Sequence, residues 1–317
     1  MAEERGIVMS VYAYPDDQKL KHLEKFPGYE NVSSVLADGI SFDDSSLRFD
    51  SIDIDFAAKT GYAYEENYRA ILFLSGYGKA LDVDNMVFDA VHYGVSLDSI
   101  QLAVDWLSKT VYWCDATYRW IVAASVHKDK VSKDYFKVII NDHLEKPAGI
   151  VVDPLEGYLF WSDSGKEAKI ERSDLTGRNR KTIVSKGVTS PGQMTVDIAD
   201  KRIYWIHVEA IHSANYDGTG PRHITRYGVS TLHDLAIFRE VIYISDTNSD
   251  ELLSVNKTDG LDVADPLLLD SYTIYGLAVY SAETQPTKDK GKVSMLDAIF
   301  CNCNHIGHTV NVHVTRI

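Results

Sequence analysis

Short apolar runs separated by polar turns recur along this chain. Residues 102–105 and 150–153 are two such runs, and each ends in an aspartate. An aromatic residue follows that aspartate after seven residues in both cases. A short and constant gap between two apolar runs is what a tight β-hairpin requires. The pattern therefore predicts an all-β chain built from repeated hairpins.

The second run of each hairpin carries an aromatic-acid block that occurs five times. The copies are Tyr62-Ala63-Tyr64-Glu65, Tyr112-Trp113-Cys114-Asp115, Phe160-Trp161-Ser162-Asp163, Tyr204-Trp205-Ile206-His207 and Tyr243-Ile244-Ser245-Asp246. Successive copies lie 50, 48, 44 and 39 residues apart. A period of about 40–50 residues with this signature predicts the four-stranded antiparallel blades of a β-propeller.

Two further elements recur with the block. The apolar strand before it ends in an aspartate in four copies, namely Asp53, Asp105, Asp153 and Asp197, with a gap of nine residues to the aromatic in the first copy and seven in the others. The strand after the block runs into a turn closed by glycine, as at Gly177 and Gly218. Glycine adopts positive φ there without steric cost.

Together these residues resemble the YWTD propeller of the low-density lipoprotein receptor family. Its unit reads roughly Pro-x-Gly-Leu-Ala-Val-Asp, Leu-Tyr-Trp-Thr-Asp and Ile-x-Arg-Ala-x-Leu-Asp-Gly, and residues 147–180 follow it closely. The resemblance covers about residues 7–286 and is weakest in the first copy.

The resemblance implies six blades, although only five blocks are present. The sixth blade would take its outer strands from residues 7–23 and its inner strand from residues 275–280, and this closure would remove exposed sheet edges. The predicted organisation is a tail at 1–6, a propeller at 7–290 and an atypical extension at 291–317.

In the resembling family, the aromatic residues of the block pack between blades and its aspartate makes structural hydrogen bonds. The block residues are therefore interpreted as architecture: Tyr62, Tyr112, Trp113, Asp115, Phe160, Trp161, Asp163, Tyr204, Trp205, Tyr243 and Asp246. Three copies depart from the pattern at Glu65, His207 and Ile244. These departures indicate a relaxed or divergent ring rather than a changed active site.

Charge and composition limit the partners. The formal net charge of −14 argues against nucleic acid, because phosphate binding needs clustered Lys and Arg. The charge favours a basic partner or serves solubility alone. No apolar segment reaches the roughly 18 residues that a membrane span needs.

Localisation is predicted mainly from the resemblance. The start, Met1 to Arg5, has acidic residues and no long apolar core, so it does not resemble a signal peptide. The resembling family is extracellular, which favours an extracellular or secreted protein and leaves an intracellular one open. The sequons at Asn31 and Asn256 are glycosylation candidates compatible with secretion.

The three cysteines predict little chemistry. Cys114 lies inside a block and is expected to be a packed thiol. The tail places Cys301, Cys303, His305 and His308 within eight residues, a donor set that Zn²⁺ accepts in tetrahedral sites. The spacing matches no common zinc finger, so a metal site, a disulfide and free thiols all stay open. No cofactor is predicted.

Catalytic motifs are absent from the sequence. It contains no Gly-x-Ser-x-Gly elbow, no His-Glu-x-x-His and no phosphate-binding loop. A propeller hydrolase with an axial metal is the enzymatic alternative, but the aspartates that recur once per repeat are already explained by their place in turns. The sequence predicts a protein that is not an enzyme.

Binding is the favoured function, and strand direction indicates where. Because neighbouring strands of a blade are antiparallel, the end of each block strand and the start of the strand before it lie on one face. Loop residues on a rigid scaffold tend to carry specificity, and aromatic residues and arginine dominate binding hot spots. The predicted face contains Tyr118, Arg119, Glu66, Asn67, Lys166, Glu167, Glu209, Asn248 and His233.

Two functions follow as hypotheses. The favoured one is a non-enzymatic, receptor-like module that presents this face to a protein ligand. The alternative is a soluble secreted propeller that binds a glycan or has a structural role in an assembly.

Overall fold

The fold is known from a computed structural model, which describes residues 6–13, 17–23, 40–41, 49–67, 69–75, 88–96, 100–126, 136–224, 231–268 and 273–287. Within these residues the chain forms an all-β propeller of four-stranded antiparallel blades. Strands β1 (Gly6–Ala13), β2 (Asp17–Leu23) and β3 (Ile40–Ser41) come first and pair with the last strand, β24 (Thr273–Tyr280). We call these four strands the terminal sheet.

Each of the five blocks lies in a blade made from four consecutive strands. Blade 1 contains β4 (Phe49–Asp55), β5 (Thr60–Glu65), β6 (Ala70–Ser75) and β7 (Phe88–Tyr93). Blade 2 contains β8 (Leu102–Asp105), β9 (Thr110–Asp115), β10 (Trp120–Ser125) and β11 (Phe136–Ile140). Blade 3 contains β12 (Pro147–Asp153), β13 (Tyr158–Asp163), β14 (Lys169–Asp174) and β15 (Lys181–Val184).

The other two blades follow the same order. Blade 4 contains β16 (Pro191–Asp197), β17 (Arg202–His207), β18 (Ala210–Asn215) and β19 (Arg222–Ile224). Blade 5 contains β20 (Leu232–Phe238), β21 (Val241–Asp246), β22 (Glu251–Asn256) and β23 (Leu267–Leu268). In every blade the first strand is the inner strand, and the second, which carries the block, is the block strand.

The inner strands pack side by side around one axis, in the order β4, β8, β12, β16, β20 and β24, with β24 against β4. The pairing of β24 with β1 joins the two ends of the chain, as the sequence predicted, with Val8 opposite Ala278.

The apolar core lies between blades, because alternate residues of a strand point to opposite faces. Trp113 packs towards blade 1 with Tyr62 and Tyr64, whereas Tyr112 packs towards blade 3 with Trp161. The same alternation places Phe160 and Trp205 between blades 3 and 4. Each block therefore joins its blade to both neighbours. Cys114 is fully buried in this core as a free thiol, and burial raises its pKa to about 12.

The structure corrects one alignment of the repeats. Inner strand β4 runs on to Asp55, and the aspartate that pairs like Asp105 and Asp153 is Asp55 rather than Asp53. Asp55 precedes Tyr62 by seven residues, so the gap is the same in the four blades that have the aspartate. The prediction of a nine-residue gap in the first copy is wrong, because Asp53 lies two residues earlier in the same strand.

Candidate ligand-binding face

The propeller has two faces with different turns. The block-end face carries the turns after the block strands, which contain the described residues 66–67, 69, 116–119, 164–168, 208–209 and 247–250. The inner-turn face carries the turns between inner and block strands, residues 56–59, 106–109, 154–157, 198–201 and 239–240, together with residues 281–287. Pro147 pairs with Asp163, and Leu232 with Asp246, so inner strands start where block strands end. The predicted loops therefore do share one face.

The acid of the block organises the block-end face. Asp115 accepts backbone N–H bonds from Thr117 and Tyr118 in its own turn, both at 3.0 Å, and one from Ser96 at 2.9 Å. Asp163 likewise accepts the N–H of Lys146, just before its inner strand, at 2.7 Å. One carboxylate thus fixes both the turn and the entry to the inner strand, and leaves the side chains of the turn for other contacts.

Two of the departing copies keep part of this arrangement. The Glu65 carboxylate accepts the N–H of Asn67 at 3.1 Å. The Nε2 atom of His207 accepts the N–H of Thr189 at 3.2 Å, and its Nδ1 lies 3.3 Å from Nε2 of His212. Burial, with a smaller contribution from the nearby His223, lowers the pKa of His207. Glu65 therefore still binds its own turn, and His207 binds the segment before its inner strand. The relaxed or divergent ring stays a prediction.

Many turns contain a residue with left-handed backbone, and a cation often occupies it. On the inner-turn face three of these cations are in ion pairs. Lys109 lies 2.5 Å from Asp55, Lys201 lies 2.7 Å from Glu156, and Arg239 lies 2.5 Å from Glu283.

On the block-end face the equivalent cations are Arg69 (φ 51°) and Arg119 (φ 54°). Both side chains are exposed. Within the part of the chain that the structure describes, neither makes an ion pair. Two guanidinium groups on neighbouring blades are therefore available to an incoming ligand.

Exposed aromatic rings lie beside these arginines. Tyr118 is 51% exposed, and its ring centroid lies 4.6 Å from that of Trp120. Tyr93 is 53% exposed and pairs with Ala70, which places it at the same end of blade 1. We call Arg69, Tyr93, Tyr118, Arg119 and Trp120 the blade 1–2 patch. Tyr118 and Arg119 were predicted, whereas Arg69, Trp120 and Tyr93 were missed. Arg69 and Trp120 lie in or directly after a block-end turn, and Tyr93 reaches this end of blade 1 by pairing with Ala70.

The remaining predicted residues are spread over the face. Exposed side chains are those of Asn67, Lys166, Glu167, Glu209 and Asn248, whereas Glu66 is half-buried. His233 is half-buried near the axis, where its Nδ1 lies 3.3 Å from the carbonyl oxygen of Tyr275. These residues belong to four different blades, so the structure does not gather them into one site.

A buried polar network crosses the axis beneath this face, and sequence reasoning missed it. The Gln101 side chain accepts the N–H of Ile150 at 2.8 Å and of Met194 at 3.1 Å, and donates to Asp234 at 3.3 Å. Asp234 also accepts the N–H of Leu277 at 2.9 Å. A single glutamine of blade 2 thus binds three other blades. It carries no sequence signal, because it lies just before an inner strand and outside every repeated element.

Two carboxylates in this axial region have raised pKa values. Burial raises the pKa of Asp53 and of Asp234 to about 7. The charge of Asp55 adds to the rise for Asp53, and the charge of Asp53 adds to the rise for Asp234. Backbone N–H groups oppose the shift, including that of Val104, which donates to Asp53 at 2.8 Å. A cavity of about 370 Å³ extends from Gln101 to the inner-turn face, where residues 283–285 line it.

The described residues include no cluster of three or more His, Cys, Asp or Glu side chains placed to hold a metal ion. They also contain no helix with the length and apolarity of a membrane span. Asn31, Cys301, Cys303, His305 and His308 lie outside the described residues, as does the extension at 291–317.

Comparison with known proteins supports the resemblance found in the sequence. Residues 157–198 match the low-density lipoprotein receptor repeat class B. The chain is 26% identical over 278 residues to the vitellogenin receptor Yl of Drosophila melanogaster, covering 87% of this chain and 12% of that protein. It is 30% identical over 161 residues to the protein cueball of Drosophila willistoni, covering 48% of this chain and 24% of that protein.

Solved structures share the fold. The propeller resembles a chain in the crystal structure of a nidogen/laminin complex, with a TM-score of 0.69, 16% identity and coverage of 87% of this chain and 98% of that one. It also resembles TolB from Acinetobacter baumannii, with a TM-score of 0.66, 12% identity and coverage of 87% and 66%. The chain spans less than a quarter of the length of the curated relatives named above.

Proposed function

We propose that this chain, a class B repeat propeller similar to that of the vitellogenin receptor, is a receptor-type module that binds a protein ligand on its block-end face. One observation carries the proposal. Arginines of the block-end turns, Arg69 and Arg119, are exposed and unpaired within the described residues, whereas three cations of the inner turns are held in ion pairs.

The patch favours a ligand that presents carboxylates next to an apolar group. Arginine binds a carboxylate through two parallel N–H bonds, and an exposed tyrosine supplies apolar contact area at little entropic cost. This local chemistry differs from that of the whole chain, whose net charge of −14 favours basic partners. Although this chain as a whole is acidic, the patch would thus select an acidic segment of the ligand.

The proposal includes three further statements about the ring, the location of the module and the axial carboxylates. The terminal sheet is the sixth blade and closes the ring. The module works outside the cell, as the receptor relatives do, and it catalyses no reaction. The axial carboxylates serve the ring rather than a substrate, because Asp234 already accepts N–H bonds from two inner strands.

A glycan ligand is the second candidate, and the exposed rings of Tyr93 and Tyr118 favour it. Aromatic faces can stack against a sugar ring, but this mode needs no arginine. The two candidates therefore differ in their dependence on Arg69 and Arg119.

The test is a binding assay with the immobilised propeller. Vitellogenin is the first protein to try, because the name of the Drosophila melanogaster relative contains it, and a secreted-protein extract from the source tissue is the second. We expect a protein to be retained by the wild-type chain and lost from a folded Tyr118→Ala, Arg119→Ala variant. Retention by the folded double variant would refute the site, and binding to a glycan array that survives both arginine substitutions would favour the second candidate.

A further inference from the structure

The turn at the end of β22 contains the sequon Asn256-Lys257-Thr258. It joins the third and outer strands of blade 5, on the same side of the propeller as the inner turns. The second sequon, at Asn31, lies outside the described residues. The structure therefore describes only the sequon at Asn256.

The amide nitrogen of this sequon, to which a glycan would be attached, has no partner among the described residues. Asn256 is half-buried and Thr258 is exposed. The Oδ1 atom of Asn256 accepts the N–H of Thr258 at 2.8 Å, which fixes the side chain in an Asx turn. Within the described part of the chain, the Nδ2 atom has no hydrogen-bond partner. The amide nitrogen is therefore held in place without being used by the fold.

Asn215, at the same position in blade 4, shows that this freedom is not imposed by the turn. Its Oδ1 accepts a bond from Arg202 at 2.7 Å, and its Nδ2 donates to Thr219 Oγ1 at 3.0 Å. Both ends of that amide are used by the fold, and Asn215-Tyr216-Asp217 is not a sequon. The asparagine with the free amide is the one with the hydroxyl residue two positions later.

The middle residue of the sequon leaves the acceptor uncrowded. The Nζ atom of Lys257 turns into the protein and lies 2.8 Å from Asp197, 2.7 Å from Asp200 and 3.3 Å from Glu240. Its side chain is only 7% exposed. The long cation is thus removed from the surface on which a modification of Asn256 would lie.

An exposed apolar side chain lies next to the acceptor. Leu261 is 68% exposed, and its carbonyl accepts the N–H of Asn256 at 2.8 Å. A polar group attached at Asn256 would cover this leucine.

We propose that Asn256 carries an N-linked glycan. The donor class is a lipid-pyrophosphate-linked oligosaccharide. Asn256 Nδ2 loses a proton and forms a bond to C1 of the first sugar, while the bond from C1 to the pyrophosphate oxygen breaks and lipid pyrophosphate leaves. The glycan lies on the side of blade 5 away from the block-end face, so it leaves the blade 1–2 patch open.

The experiment expresses the full chain behind a secretion leader in insect cells. Peptide mass spectrometry after treatment with peptide N-glycosidase F should find Asn256 converted to aspartate. An Asn31→Gln variant should keep a mass shift on enzyme treatment, and adding Asn256→Gln should abolish it. Thr258→Ser should retain the glycan and Thr258→Ala should lose it.

The thermal melt of each secreted variant is the control that shows whether the variant is folded. The proposal stays testable if Asn256→Gln does not fold. The Thr258→Ser and Thr258→Ala variants and the wild-type peptide map also show whether the Asn256 nitrogen is modified. An unmodified Asn256 in the secreted, folded wild-type protein would overturn the proposal. That result would leave the proposed binding function untouched, since ligand binding by the blade 1–2 patch is measured separately.

Discussion

The two faces of this propeller use charge in different ways. On the inner-turn face, lysines and arginines at the ends of turns bind acids of neighbouring segments, and Lys257 is enclosed by three carboxylates. Carboxylates bind backbone N–H groups of the turns on both faces, as Asp115 does on the block-end face and Asp105 does on the inner-turn face. The inner turns add side-chain ion pairs to this arrangement, whereas Arg69 and Arg119 of the block-end turns make none within the described residues.

The difference shows which face has turn side chains that stability does not require and that can therefore bind a ligand. A turn stabilised through its backbone puts no demand on its side chains, so Tyr118 and Arg119 can be chosen for a ligand. A turn stabilised by its side chains cannot release them without loss of stability. The inner-turn face is also crossed by residues 281–287, where Gln285 binds Phe56 N–H at 2.7 Å and Pro286 accepts a bond from Trp106.

The largest expected effect comes from the inner-turn face. Lys257→Met leaves the buried Asp197 without its cation, and breaking a buried ion pair in this way costs about 3–5 kcal/mol of unfolding free energy. Lys201→Met is the matched control, because its pair with Glu156 is exposed and its loss should have little effect on stability. Urea unfolding measures both variants, and equal losses would contradict a structural role for the Lys257 cluster.

The axial glutamine should come next. Gln101→Met orphans the N–H groups of Ile150 and Met194, with a loss of about 1–3 kcal/mol if water from the adjoining cavity replaces part of the bonding. Gln193→Met is the control, since Gln193 is half-buried and has no side-chain hydrogen bond among the described residues. Unfolding curves that shift equally for both variants would rule out the network as a link between blades.

A pH dependence tests the axial carboxylates. In the folded protein Asp53 and Asp234 have pKa values of about 7, against a usual value of 3.8. Between these values the folded state binds more protons than the unfolded state, so this contribution to stability falls as the pH rises from about 4 to about 7. Asp234→Asn should flatten the decline relative to wild type. The check is the unfolding free energy of both proteins at several pH values, and parallel curves would argue against the raised pKa.

The block-end arginines should affect stability least. Arg119→Gly removes an exposed, unpaired side chain and places glycine where φ is 54°, so stability should stay within about 0.5 kcal/mol of wild type or rise slightly. Lys59→Gly is the matched variant for Arg119→Gly on the inner-turn face, because the φ of Lys59 is 55°. A loss of several kcal/mol in Arg119→Gly would show that the arginine belongs to the fold.

The sequence predicted the elements that repeat and missed those that occur once. The block and the hairpins follow from periodicity, and the pairing of residues 7–13 with the last strand follows from the family resemblance. The structure shows these strand pairings. The contact of His207 could not be predicted, because Thr189 lies outside the repeated elements. Gln101 and Asp53 face the axis, where contacts join residues distant in the chain; no local pattern marks Gln101, and the repeat alignment gave Asp53 the position that belongs to Asp55.

The site was predicted only in part for a similar reason. Tyr118 and Arg119 follow a block directly, so strand direction alone places them on a face. Tyr93 and Trp120 reach the same patch through strand pairing and ring contact, which depend on register. Whether a charged turn residue is free or paired also depends on the neighbouring blade, so the sequence could not distinguish Arg119 from Lys109.

The affinity of the recovered ligand for Arg119→Gly and Lys59→Gly tests the central claim most directly. Both variants change a cation at the same turn position and with the same backbone, on opposite faces. We expect Arg119→Gly to weaken binding by about tenfold or more, equivalent to about 1.4 kcal/mol, and Lys59→Gly to bind like wild type. Equal affinity of wild type and Arg119→Gly, or a loss confined to Lys59→Gly, would contradict the assignment of the block-end face as the ligand-binding face.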